Sequence, residues 1–130
     1  MAGNLTLAQI AAIEAKPSRQ MSSNYAISSD GGIALLCHEA DRSWCSSSPA
    51  NDHRAITVEV ANDQIGGQWH VSDAALEALV KLCVDICQRN PALKNGLNYT
   101  GDARGNLTKH SYFTSTACPG PYLGGKFINY

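Results

Sequence analysis

The run from Ala55 to Ala61 (AITVEVA) constrains the fold more than any other segment. Apart from Glu59, every residue in it is apolar or β-branched, the pattern of a strand buried on both faces. Such a strand needs cover on two sides, which implies a layered fold with helices against a sheet. The flanking sequence supplies both kinds of element. Thr6 and Gln9 form a capping box ahead of Leu7, Ile10 and Ile13, predicting a helix over 6–15 that Pro17 stops. Ser72 and Asp73 cap a longer helix reaching about Arg89, with Leu76, Leu79, Val80, Cys83 and Cys87 as its expected core stripe and Pro91 beyond it. Residues 24–28 and 33–37 are apolar runs around Ser29-Asp30-Gly31-Gly32, a hairpin signal. A last short strand is expected over 97–100 and a short helix near 107–113. The tail CPGPYLGGKF, rich in proline and glycine, is expected to be irregular. The order α-β-β-β-α-β-α therefore predicts an α/β fold, a mixed central β-sheet flanked by helices, in one domain over 1–130.

Charge narrows the function classes. Net charge is −1 and the basic residues are scattered, so the footprint of a nucleic-acid binder is missing. No run of about 18 apolar residues suggests a membrane span. The N-terminal stretch MAGNLTLAQIAAIEAK has no basic region before its apolar part and reads as a helix, not a signal peptide. Five cysteines, an odd number without paired zinc-module spacing, agree with a reducing compartment. Cys83 and Cys87, one helical turn apart, read as small core hydrophobes.

Two features carry chemistry. Glu59 interrupts an apolar strand, and a carboxylate there is costly to bury unless it is paired or faces a site. His110 and Cys118 flank SYFTSTA and offer an imidazole and a thiolate, the donors zinc prefers. The same two residues also suit a Cys–His nucleophile pair. His38, His53 and His70 read as surface residues. The polar stretch from Glu39 to Asn51 reads as one long loop without periodicity.

The string LTKHSYFTSTACPGPYL resembles the zinc motif of the type 2 N-acetylmuramoyl-L-alanine amidase family, which includes phage lysozymes and peptidoglycan recognition proteins. His110, Cys118, Pro119, Gly120 and Tyr122 match that motif. The resemblance implies that His110 and Cys118 are zinc ligands and that Thr116 assists the oxyanion of a tetrahedral intermediate. SSNYAISSDGGIALL and RSWCSSSPANDHRAITVEVAND resemble the family's hairpin, groove loop and central strand. On that likeness Glu59 is the general base and Trp44 a residue of the substrate groove. The family's third zinc ligand is a His closing a first strand, just before the stretch that matches Met1-Ala2-Gly3-Asn4. The expectation is thus an N-terminally shortened amidase domain with two of three ligands.

The implied cofactor is Zn2+ and the implied partner bacterial peptidoglycan. The expected setting is a phage or prophage lysin, cytoplasmic until host lysis. A muropeptide-binding domain without catalysis is the alternative. A missing strand leaves sheet edges open, so homo-oligomerisation through such an edge is expected.

Overall fold

The computed structural model describes residues 3–127. Helix α1 spans Leu7–Glu14, and its capping box forms as expected: Gln9 N–H donates to Thr6 Oγ1 at 3.2 Å and Thr6 N–H donates to Gln9 Oε1 at 2.9 Å. Strands β1 (Tyr25–Ile27) and β2 (Ile33–Leu35) make the hairpin, antiparallel, with Ala26 opposite Ala34. Its turn holds Gly31 at φ +87°, where a Cβ would lie 3.1 Å from the Ala74 carbonyl oxygen. Only glycine meets both demands, positive φ and close backbone approach.

Strand β3 (Val58–Val60) pairs with β1 in parallel, giving a mixed sheet in the order β2-β1-β3. The expected α/β architecture is therefore present. Helix α3 (Asp73–Arg89) covers one face, packing Ala75, Ala78, Leu82 and Ile86 on Ile27 and Val60. Helix α1 covers the other through Ile10 against Ala26 and Ala61. Ile27 and Ala26 are fully buried on opposite faces, so β1 is the strand buried on both sides.

That finding corrects the reading of 55–61. Among the described residues β3 is an edge strand, shorter than expected, with Val58 and Glu59 only half-buried. The stripe on α3 also differs: buried residues 75, 78, 82 and 86 centre the contact with the sheet, Leu76 and Leu79 pack at the margin of that core, and Leu76, Leu79, Val80, Cys83 and Cys87 line a cavity beside β3. Apolar residues cover more than one face of this helix, and periodicity alone does not say which meets the sheet.

Four local expectations are changed by the structure. Residues 97–100 form no strand; the Asn98 carbonyl accepts N–H groups of Asn106 and Leu107, closing a loop on itself. Helix α2 (Pro49–Asp52) interrupts the long polar loop, with Ser48 as N-cap and Pro49 at its first position. Helix α4 (Pro121–Lys126) forms in the tail, where Pro121 starts it and buried Leu123 anchors it to the α3 side of the core. The helix expected near 107–113 is a single 3-10 turn, His110–Tyr112.

Buried polar bonds fix the loops around β3. Asn24, fully buried, donates through Nδ2 to the carbonyls of Cys37, His38 and Asp41 at 3.0–3.3 Å. Its Oδ1 accepts Thr57 N–H at 2.9 Å. One side chain thus joins the segment after β2 to the start of β3. Arg89 closes the far end, donating to Glu39 Oε1 at 2.7 Å, where Tyr25 Oη also donates.

Candidate functional site

Glu59 sits in β3 opposite Ala26, on the face away from α3. Parallel pairing sets that orientation, because alternate residues of a strand point to opposite faces. Beside it runs the loop 43–54, held by a buried carboxylate. Asp52 accepts Ser46 N–H at 3.0 Å, Ser46 Oγ at 2.7 Å and Cys45 N–H at 3.3 Å. Ser43 Oγ lies 2.7 Å from Thr57 Oγ1, pinning the loop to β3. Burial, reinforced by the charge of Glu59, pushes the Cys45 thiol up to about 12. Cys45 is consequently a neutral thiol at pH 7, not a thiolate.

Ser47 adopts φ +64° and brings its hydroxyl 3.2 Å from His110 Nε2. Burial lowers the His110 pKa below its ordinary value, against the opposing pull of Glu59 and Asp52. The imidazole is therefore neutral at pH 7, the form that carries a lone pair for a metal.

Lys109, the preceding residue, ties this turn to α4. Its Nζ donates to the Gly124 carbonyl at 3.3 Å and lies 5.3–5.7 Å from the ring centroids of Tyr99, Tyr112 and Phe127. Attraction between an ammonium and aromatic faces joins three segments at one point. On the other side of the motif, Thr116 Oγ1 accepts Cys118 N–H at 3.2 Å, and Gly120 turns the chain at φ +90° into α4.

Glu59, His110 and Cys118 line one cavity of about 1590 Å3, together with Cys45, Ser46 and Asn51. Trp44 and Thr116 do not line it. Trp44 is 48% exposed, with the Arg42 guanidinium 5.6 Å from its ring centroid. Thr116 borders a separate surface hollow with Lys109, Ser111 and Pro119. His38 and His53 stay outside the cavity, while His70 pairs with Asp63 at 2.6 Å and packs on Tyr122. His110 and Cys118 are donors of the type zinc takes. Among the described residues, however, no three His, Cys, Asp or Glu side chains converge to hold a metal ion. Among the described residues the donors are therefore of the right kind for zinc but do not make a complete set.

Asp52 and Ser47 have no role in the sequence reading. Their signal was the Ser48-Pro49 pair, which marks a helix start and with it a built loop. A family model for N-acetylmuramoyl-L-alanine amidase matches residues 2–121. The chain belongs to that family. The match takes in β1 to β3, Glu59, His110 and Cys118 together, so the sheet and these three cavity residues fall within one homologous segment. No curated protein and no solved structure gives a significant match. Among the described residues no helix is long and apolar enough to cross a membrane.

Proposed function

We propose that this family member is a peptidoglycan hydrolase that cleaves the amide between N-acetylmuramic acid and L-alanine, in the manner of a phage or prophage lysin. The observation that carries the proposal is the placement of Glu59, His110 and Cys118 around one cavity within the segment matched to the amidase family. His110 and Cys118 would hold a zinc ion, with a third donor from outside the described residues. When bound, zinc polarises a carbonyl and lowers the pKa of its water.

The remaining work falls to the chain. Glu59 takes the proton of the attacking water and returns it to the departing L-alanine nitrogen, so the amide is split and the carboxylate regenerated. Ser47 orients the His110 ring through Nε2 or yields that nitrogen to a ligand. Thr116, which the family likeness casts as an aid to the oxyanion, borders the neighbouring hollow; there its hydroxyl accepts from the Cys118 amide and fixes the backbone beside that ligand. Trp44, exposed and backed by Arg42, offers a flat face to a sugar or peptide along the rim.

Zinc per chain, read by elemental analysis of protein purified without added metal, tests the metal assignment when set beside turnover of purified murein. Release of L-alanine amino termini that requires zinc is the expected result. Turnover in metal-free protein overturns the zinc reading. Murein binding with no turnover at any zinc level supports a binding domain instead, a reading favoured by the shortage of a third donor among the described residues.

A further inference from the structure

We infer that Lys109 is a positioning residue: its ammonium clasps together the two ends of the segment 110–123 and so sets His110 and Cys118 relative to each other. The inference rests on the proposed zinc reading only for the roles of those two residues. Both lie inside the segment, His110 at its start and Cys118 toward its end. Local hydrogen bonds shape each half. Phe113 N–H donates to the His110 carbonyl at 3.0 Å, and Gly120 N–H to the Ala117 carbonyl at 2.7 Å. Bonds of that span fix a turn, not the separation of two turns. The bond from Lys109 Nζ to the Gly124 carbonyl, at 3.3 Å, spans the whole segment, and closing a loop restricts every residue within it.

The two ends are held to different degrees. Beyond Cys118 the chain is fixed by the core: Leu123 is buried in it, and Tyr122 N–H donates to the Gln68 carbonyl at 3.1 Å. The His110 end is a single 3-10 turn, with the exposed Ser47 hydroxyl 3.2 Å from the ring. Lys109 ties that turn to the anchored end.

The surroundings of Nζ suit a cation. The last carbonyls of a helix lack an intrahelical partner, and Gly124 in the six-residue α4 is among them. Three half-buried rings complete the cage, with centroids 5.3 Å away for Tyr112, 5.4 Å for Phe127 and 5.7 Å for Tyr99. Each ring belongs to a part that has to be joined. Tyr112 lies in the His110 turn, Phe127 caps α4, and Tyr99 comes from the loop between them and α3. Tyr99 links the other two, with its hydroxyl 2.6 Å from Tyr112 Oη and its ring edge-on to Phe127 at 5.5 Å. A positive charge is attracted to all three faces at once, which an uncharged side chain of equal length is not.

The test compares the full metal-free chain with Lys109→Met, which loses charge and donor, and Lys109→Arg, which keeps both. Amide exchange and the NMR signals of the histidine rings are read. In Lys109→Met, exchange at Phe113 and Gly120 should quicken by roughly tenfold or more while the amides of α3 keep their rates. The His110 ring signal should move while those of His38, His53 and His70 stay in place. Lys109→Arg should return both readings toward wild type. A Lys109→Met chain with neither change overturns the inference. So does faster exchange spread evenly over α3, which makes Lys109 a stabiliser of the whole fold. An Arg variant no better than Met overturns it as well, because the cation is then not what holds the segment. A wild-type chain that takes up no zinc counts against the proposed function and leaves the clasp to be decided by these two readings.

Discussion

At the scale of single residues, the site is governed by which groups lose contact with water. Cys45 and His110 both border the cavity, and burial shifts each toward its neutral form. For Cys45 the folded value, about 12, lies above the ordinary 9.0. Its contribution to stability is complete below pH 9 and is lost as pH rises through 12. Denaturation at graded alkaline pH should therefore show a fall in stability between about pH 9 and 12 that Cys45→Ala removes. An unchanged alkaline profile in that variant would refute the assignment. Glu59 makes a different kind of prediction. Glu59→Gln keeps size and removes the exchangeable proton site, so turnover should drop roughly a hundredfold or more with Tm nearly unchanged. Wild-type turnover in that variant would take Glu59 out of the chemistry.

At the scale of elements, the helix ends hold the layers together. Ser72 caps α3 by accepting Ala75 N–H at 3.1 Å, and its hydroxyl donates to the Ser29 carbonyl at 2.5 Å. One hydroxyl thus joins the helix start to the hairpin turn. Ser72→Ala should cost about 1–2 kcal/mol, more than a solvent-exposed cap, because a carbonyl also loses its donor. Urea unfolding measures this, and a loss within error of zero would mean that the two bonds contribute nothing. The same element explains why α1, β1, β2 and α3 are legible from residue order. Each is announced by local chemistry: a capping box, an Asp-Gly-Gly turn, a Ser-Asp cap. Residues 97–100 alternate Leu97 and Tyr99 with polar side chains but lack such a signal, and hydrogen bonds from Asn106 and Leu107 draw the Asn98 carbonyl out of any ladder.

At the scale of the whole molecule, the central packing is three layers with β1 in the middle. Ile27 is fully buried between β3, α3 and the hairpin. Ile27→Ala should cost about 2–5 kcal/mol by chemical denaturation, and less than 1 kcal/mol would mean that the sheet does not centre on β1. The cavity beside β3 is the other global feature. It gathers Glu59 from a strand, His110 from a turn, Cys118 from the tail and the second stripe of α3.

Residue order by itself determined the fold class, the main helices and the hairpin, because caps, turns and periodicity act within a few positions. It also marked Glu59, a carboxylate in an apolar strand, while His110 and Cys118 stood out through the likeness of their segment to the amidase motif. Tertiary structure alone decided that β1 and not β3 is central, and that α3 meets the sheet through Ala75, Ala78, Leu82 and Ile86. It also built the loop wall on Asp52 and ordered the proline- and glycine-rich tail into α4 through buried Leu123. Those outcomes depend on contacts between residues far apart in the chain. Pairing order and burial are properties of the assembled layers, and no local pattern carries them.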